Sequence, residues 1–180
     1  MELQEKKLRQ VNSYSGIIVD VTLDQIELAN GRQAFREVVH HPGGVTILPL
    51  DDEGCVYCVR QFRYPYGEIL LEVPAGKLER GEDPFECARR ELTEETGFTA
   101  DNWQSLGCLY TSPGYSGETL YLYLARGLRA GEAHPDEGEF LSVERIPLAQ
   151  LLEQVMDGRI RDAKTVAAVL KTAYFLKKES

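Results

Sequence analysis

Residues 76–98 constrain the fold of this chain more than any other segment. Asp83 followed by a proline predicts the start of a helix, because aspartate caps a helix N-terminus and proline fits its first turn. Gly97 predicts the end of that helix, because glycine adopts the left-handed conformation at little cost. We therefore expect a single helix over residues 84–96, followed by a sharp turn.

Three glutamates, Glu91, Glu94 and Glu95, share one face of this helix. Spacings of three and four residues place their Cβ atoms roughly 5–6 Å apart, and like charges so close destabilise a helix. A hard divalent cation such as Mg²⁺ or Mn²⁺ is the natural partner for such a set, because these ions take oxygen ligands. The alternative is an acidic helix face that is simply solvated.

The wider pattern is a glycine, five residues, a glutamate, seven residues, and then Arg-Glu-Leu-Thr-Glu-Glu-Thr-Gly-Phe. It resembles the signature of the Nudix hydrolases, with every defining position filled. The resemblance implies an α/β/α sandwich that uses a divalent metal to hydrolyse nucleoside diphosphates linked to another group. It also implies that Glu82 and Arg90 form a pair that orients the loop against the helix. The implied metal ligands are Glu91, Glu94, Glu95 and the carbonyl of Ala75. Glu94 is also a candidate catalytic residue.

The implied chemistry suits these residue types. A pyrophosphate is negatively charged and repels a hydroxide nucleophile. Catalysis therefore needs metal ions that neutralise the phosphate oxygens, lower the pKa of the attacking water and hold the line of attack. Carboxylates alone would repel the substrate, whereas carboxylates that hold a metal attract it.

Segments outside this pattern indicate the substrate. Residues 110–118 contain Ser-Pro-Gly-x-x-x-Glu, and with Arg-Glu-Val-Val, Gln-Phe-Arg and Glu-Val-Pro-Ala-Gly further upstream they resemble the ADP-ribose pyrophosphatase branch. This implies hydrolysis of ADP-ribose, or of a similar ADP-sugar, to AMP and ribose 5-phosphate. The candidate substrate contacts are Arg36, Arg63, Glu118 and, for stacking on adenine, Tyr14. The alternatives are a loop-capping role for Arg63, an ordinary turn at Pro113, and simple packing for Tyr14.

A general base must lie within hydrogen-bond reach of the attacking water. Related enzymes use a glutamate from a mobile loop, and Asp-Glu-Gly-Glu at residues 136–139 offers three carboxylates beside a glycine hinge. Glu137 is the favoured base and Glu139 the second candidate. A solvated acidic turn is the alternative.

The order of elements predicts a mixed α/β fold. The polar residues before Ser15 are expected to form a helical turn or to be frayed. Residues 15–28 and 33–40 follow as a hairpin whose turn is Asn30-Gly31. Residues 45–50 and 55–62 follow as paired strands, and 69–73, 103–111, 119–125 and 140–146 as further strands. Residues 148–157 and 163–177 close the chain as two helices. We expect an antiparallel β extension over residues 1–42, which serves dimerisation and the substrate pocket, and a Nudix hydrolase domain over residues 43–180.

The net charge of the chain and its distribution limit the classes of molecule that it is expected to bind. A formal net charge of -9 argues against nucleic acid, because affinity for a phosphate backbone comes from clustered Lys and Arg. The acids concentrate in residues 68–95, with nine acids and four bases, and in residues 131–144, with five acids and no base. We expect a small nucleoside diphosphate sugar as partner, no membrane association, a homodimer by resemblance, and a cytoplasmic location.

The four cysteines are expected to be reduced thiols in the core, with a redox pair at Cys55 and Cys58 as the alternative. Two further functional alternatives stay open at this point. One is a Nudix domain that binds ADP-ribose without catalysis, as a sensor. The other is hydrolysis of a different nucleoside diphosphate derivative.

Overall fold

The computed structural model describes residues 3–134, 138 and 140–179. Its chain forms two compact units. The first runs to Gly43 and also takes in Tyr110–Thr119, and the second consists of Gly44–Leu109 and the chain from Leu120 onward. The Ser-Pro-Gly segment thus belongs to the same unit as the N-terminal strands.

Ten strands and three helices make up the described part of the chain. The strands are β1 Lys6–Ser15, β2 Asp20–Glu27, β3 Gln33–His40, β4 Gly44–Pro49, β5 Cys55–Arg63, β6 Glu68–Glu72, β7 Ala75–Lys77, β8 Phe98–Tyr110, β9 Thr119–Ala130 and β10 Leu141–Pro147. The helices are α1 Pro84–Thr96, α2 Leu148–Met156 and α3 Ala163–Glu179.

The first unit is built on an antiparallel sheet in the order β1-β2-β3. The predicted hairpin of β2 and β3 around Gly31 is confirmed. The prediction of a helical or frayed start was wrong, because residues 6–15 form β1. Two register shifts, between Lys7 and Arg9 and between Gln10 and Asn12, interrupt the pairing of β1 with β2. Such bulges interrupt the alternation of side chains between the two faces of a strand, so the sequence pattern of β1 does not indicate a strand.

The second unit contains two sheets, in the orders β7-β4-β9-β8 and β10-β5-β6. The predicted pairing of β4 with β5 was wrong, since the chain passes from one sheet to the other at the turn between them. One isolated bridge, Leu50 to Val56, joins them. Strand β4 is buried along its whole length and pairs instead with β7 on one side and, in parallel, with β9 on the other. A strand buried on both faces is typical of the centre of a mixed sheet.

Helices cover both faces of this four-stranded sheet. Val45 and Ile47 of β4 pack against Ala88 and Leu92 of α1 in one core cluster. The opposite face contributes Leu48 of β4 and Leu122 and Leu124 of β9 to a second cluster, which also includes Leu151 of α2 and Val169 of α3. The arrangement is the α/β/α sandwich with a mixed sheet that the sequence predicted.

Helix α1 begins and ends as its sequence predicts. The Asp83 carboxylate accepts hydrogen bonds from the backbone N–H groups of Phe85 (2.9 Å) and Glu86 (3.3 Å). Gly97 has φ 75° and donates its N–H to the carbonyl of Thr93. Both termini are therefore satisfied by the residues that flank the helix.

The structure also bears on the expectation for the cysteines. All four cysteines are free thiols, and Cys58 and Cys87 are buried as predicted, but Cys108 is exposed. Among the described residues, no helix is long and apolar enough to cross a bilayer.

We predict that Asp83→Ala lowers the free energy of unfolding by about 1 kcal/mol, because two backbone donors at the start of α1 lose their acceptor. Asp83→Asn is the matched control and should stay close to the wild type, since asparagine caps a helix equally well. Urea unfolding of the three proteins measures the difference. Equal losses in both variants would contradict a capping role.

Candidate active site

Strand β7 and helix α1 are in close contact at Gly76. A Cβ atom built on Gly76 would lie 1.8 Å from Cδ and 1.8 Å from Oε1 of Glu91. The glycine is required here for space, because the carboxyl group of Glu91 occupies the position of a side chain. The first glycine of the Nudix pattern thus brings the Glu91 carboxylate directly against the backbone of β7.

The residue before that glycine contacts a second carboxylate of the helix. The N–H of Ala75 donates to Oε2 of Glu95 at 3.1 Å. Glu95 is 2% exposed and Glu91 is 9% exposed. Burial of carboxylates is costly and calls for compensating bonds or cations. The structure therefore brings Ala75 into contact with Glu95, next to the contact of Gly76 with Glu91.

Arg90 joins the third helix carboxylate to this group. Its Nη1 atom donates to Oε1 of Glu91 (2.8 Å) and to Oε2 of Glu94 (2.9 Å). Its Nε and Nη2 atoms donate to the two oxygens of Glu82, at 3.0 and 3.1 Å. The pair of Arg90 and Glu82 holds the loop before α1 against the helix. It also keeps the pKa of Glu82 low, at about 2 instead of 4.5, chiefly through the hydrogen bond from Arg90.

The donor set at this place suits a hard divalent cation. Glu91, Glu94 and Glu95 supply carboxylate oxygens, which are ligands that Mg²⁺ and Mn²⁺ prefer. Within residues 3–134, 138 and 140–179, no three His, Cys, Asp or Glu side chains are already arranged as a metal site. In the arrangement observed, the Arg90 guanidinium lies between Glu91 and Glu94 and offsets their charge.

The candidate substrate contact Arg63 lies at the end of β5 in the second unit. It donates through Nε and Nη2 to the two oxygens of Glu72, each at 2.7 Å. These bonds raise the pKa of Arg63 against the opposing effect of burial, and the charges of Asp162 and Glu95 raise it further. Arg63 therefore stays charged and lies within the field of the carboxylate group on α1.

The other candidate substrate contacts, Arg36, Glu118 and Tyr14, belong to the first unit. Arg36 on β3 forms an ion pair with Glu5, and Tyr14 on β1 is exposed. The segment that ends in Glu118 is bonded to β3: the N–H of Val39 donates to the carbonyl of Tyr115, and the N–H of Gly117 donates to the carbonyl of Val39. This brings the Ser-Pro-Gly segment and the strand of Arg36 into one body.

The two candidate bases, Glu137 and Glu139, lie outside the described residues. The chain leading to them is held at the C-terminal end of α1. The N–H of His134 donates to the carbonyl of Glu94 at 3.0 Å, and the backbone of residues 131–133 packs against Gly97.

Two polar residues near the candidate contacts were not identified from the sequence. His41 Nδ1 lies 3.4 Å from Oε1 of Glu118 and accepts the N–H of Gly43 at 3.1 Å. Lys164 of α3 pairs with Glu72. No local pattern marks either one, because their partners are 77 and 92 residues away in the chain.

Comparison with known proteins identifies the family. The NUDIX domain model matches residues 40–169, a range that includes the whole site on β7 and α1. The chain belongs to the Nudix family.

Its relatives include two proteins with different names. An ADP-ribose pyrophosphatase of Bacillus subtilis (strain 168) is 41% identical over 93% of this chain and 91% of its own length. A methanol dehydrogenase activator of Bacillus methanolicus is 40% identical over 92% of this chain and 91% of its own length. A crystal structure of an ADP compounds hydrolase superposes with a TM-score of 0.88 at 25% identity, covering 100% of this chain and 98% of that one.

We predict that Gly76→Ala lowers catalytic turnover by about 100-fold or more, because the added methyl group displaces the Glu91 carboxylate by at least an ångström. Glu86→Gln, on the exposed first turn of α1, is the control and should keep wild-type turnover. Steady-state turnover and thermal unfolding of both variants are the measurements. Wild-type turnover in Gly76→Ala would show that the position of Glu91 is unimportant.

We also predict that Glu82 stabilises the protein in a pH-dependent way. Its folded pKa of about 2 lies below the ordinary 4.5, so its contribution is complete above pH 4.5 and is lost as the pH falls towards 2. Urea unfolding from pH 7 to pH 2.5 should show Glu82→Gln less stable at pH 7, by on the order of 2 kcal/mol. This difference should shrink steadily below pH 4.5. A constant difference across the whole range would refute the assignment.

Proposed function

We propose that this protein hydrolyses the pyrophosphate bond of ADP-ribose, or of a similar ADP-sugar, to AMP and ribose 5-phosphate with the help of a divalent cation. One observation carries the proposal: Ala75, Glu91 and Glu95 converge beside Gly76 in a Nudix chain. The 41% identity to an ADP-ribose pyrophosphatase, over 93% of the chain, supports the choice of substrate.

Glu91, Glu94, Glu95 and the carbonyl of Ala75 would hold the cation, with Mg²⁺ as the first choice and Mn²⁺ as the second. A cation bound there neutralises the phosphate oxygens and lowers the pKa of the attacking water. Arg90 keeps Glu91 and Glu94 close together, and its pairing with Glu82 fixes the loop that leads into α1. The helix therefore presents its carboxylates in a defined position.

The remaining candidate substrate contacts are Arg63, Arg36, Glu118 and Tyr14. Arg63 would bind the diphosphate, because a guanidinium forms paired hydrogen bonds with phosphate oxygens. Arg36 and Glu118 would contact the substrate from the first unit, and Tyr14 would stack on adenine. The exposure of Tyr14 leaves its ring available for such stacking.

Glu137 would act as the general base, with Glu139 as the second candidate. The support lies in the preceding residues, since His134 is bonded to the carbonyl of Glu94.

We further propose a cytoplasmic homodimer in which residues 1–42 serve dimerisation and the substrate pocket and residues 43–180 form the hydrolase domain. The exposed apolar side chains of β1, among them Leu8 and Val11, support an interface on the N-terminal sheet. Analytical ultracentrifugation tests the dimer: a protein that sediments as a monomer at micromolar concentration would rule it out.

A second candidate function is activation of a methanol dehydrogenase. It has one observation in its favour, the 40% identity to a protein of Bacillus methanolicus that bears this name. Adding the purified protein to a methanol dehydrogenase assay distinguishes a dehydrogenase activator from a protein that acts on nucleotides alone.

We predict that the wild type with Mg²⁺ releases AMP and ribose 5-phosphate from ADP-ribose faster than it cleaves ADP-glucose, GDP-mannose, NADH or diadenosine polyphosphates. Separation of the products by chromatography measures this preference. Glu95→Gln should reduce turnover by about 100-fold or more, because it removes a charge needed to hold the cation. Glu86→Gln on the exposed first turn of α1 is the matched control and should keep wild-type turnover.

The possible results separate the parts of this proposal. A wild type that cleaves none of these compounds would refute the hydrolase function. A preference for GDP-mannose or another compound would refute only the choice of ADP-ribose. Full activity of Glu95→Gln would remove Glu95 from the metal site.

A further inference from the structure

A cleft in the second unit lies between strand β6 and the residues that connect α2 to α3. Strand β6 is the last strand of the sheet β10-β5-β6, so its outer edge has no neighbouring strand. The cleft has a volume of about 310 Å³, which is enough for a small molecule. None of its lining residues is among those proposed to bind the cation or the ADP-sugar.

Three arginines, Arg60, Arg159 and Arg161, line this cleft. Each is paired with one carboxylate, through Nε and Nη2 in Arg60 and Arg159 and through Nη2 in Arg161. Among the described residues, none accepts a hydrogen bond from the Nη1 atom of any of the three. Guanidinium donors are therefore available at the cleft while every one of these ion pairs stays intact.

Two acids also line the cleft, and both already have partners. Glu68 forms an ion pair with Arg161. Asp162 accepts hydrogen bonds from the N–H (3.0 Å) and the hydroxyl (2.6 Å) of Thr165 and pairs with Lys164 at 3.0 Å. With three basic and two acidic side chains, the lining is net positive in a chain whose net charge is -9. The cleft is therefore suited to an anion.

Apolar side chains complete the lining. Ile69 of β6 is 64% exposed, which is unusual for so large an apolar side chain, and Ile160 lies buried beside the arginines in the sequence. An anion that consists of a charged group alone would leave the surface of Ile69 uncovered. A ligand with both an anionic and an organic part would use the whole lining.

We propose that this cleft binds a phosphate monoester, with its phosphate on the arginines and its organic group against Ile69. Guanidinium groups form strong, charge-assisted hydrogen bonds with phosphate oxygens. A monoester carries nearly two negative charges at pH 7 and has three terminal oxygens to accept such bonds. The inference does not depend on the proposed hydrolase function, although both products of that reaction, AMP and ribose 5-phosphate, are phosphate monoesters.

Calorimetric titration of the full chain in EDTA tests the proposal. Without divalent cations the carboxylates of α1 repel anions, so the candidate active site does not compete for the ligand. The probes are AMP, ribose 5-phosphate, adenosine and inorganic phosphate. At least one of the two monoesters should bind about tenfold or more tightly than adenosine, which lacks the phosphate, and than inorganic phosphate, which lacks the organic group.

One variant tests the arginines. Arg161→Met should weaken the binding of the monoester about tenfold or more, because it removes charge-assisted hydrogen bonds. The fold should be unaffected, because the ion pair of Arg161 with Glu68 is exposed. Arg129→Met is the matched control: Arg129 also forms an exposed ion pair, with Asp101, but it does not line the cleft. Thermal unfolding of both variants accompanies the titrations.

Methyl NMR of isoleucine-labelled protein locates the bound ligand. A saturating monoester should shift the methyl signals of Ile69 and Ile160 and leave that of Ile47, which packs against α1, unchanged. The same addition to Arg161→Met, at the concentration that saturates the wild type, should produce smaller shifts. This measurement distinguishes the cleft from any other anion site on the chain.

The outcomes separate this inference from the proposed function. The cleft is overturned as a monoester site if neither monoester binds, if Arg161→Met binds as tightly as the wild type, or if Ile47 shifts in place of Ile69. Inorganic phosphate that binds as tightly as both monoesters also overturns it. The tighter of AMP and ribose 5-phosphate identifies the organic group. A protein that binds a monoester in this cleft but hydrolyses none of the diphosphate compounds overturns the hydrolase function alone.

Discussion

The carboxylates of α1 are held in place by one arginine of the same helix. Glu91 and Glu94 would repel each other on adjacent turns, and the Arg90 guanidinium lies between them. The other side of the same guanidinium binds both oxygens of Glu82. One side chain thus offsets the local repulsion and orients the loop before the helix. The proposed metal site depends on this arrangement, because it determines where the carboxylates stand relative to β7.

A second cluster of charges lies at the end of β6, the strand that precedes β7. Glu72 lies three residues before Ala75 and is bonded to Arg63 of β5 and Lys164 of α3. The chain from β6 into β7 therefore runs between two ionic clusters, one centred on Glu72 and one on Arg90. Each contains a buried or partly buried carboxylate whose charge is offset by arginine.

Several features of the fold were not apparent in the sequence, and each has a physical reason. Strand β1 could not be predicted from an alternation of apolar and polar residues, because two bulges shift its register against β2. The sequence of β4 and β5 suggests a hairpin, but the buried β4 takes β7 and β9 as its partners. A turn between two strands shows that the chain reverses, whereas it does not show whether both strands belong to one sheet.

The sequence by itself determined the limits of α1, the spacing of Glu91, Glu94 and Glu95, and the family to which the chain belongs. These features depend on interactions between residues that are close in the sequence, such as the caps at Asp83 and Gly97. Short sequence patterns are therefore enough to predict them. Only the tertiary structure decided the strand partners of β4, the contact of Glu91 with Gly76, and the pairing of Lys164 with Glu72. These join residues from 15 to 92 positions apart, and their energies depend on burial and geometry that exist only once the chain has folded.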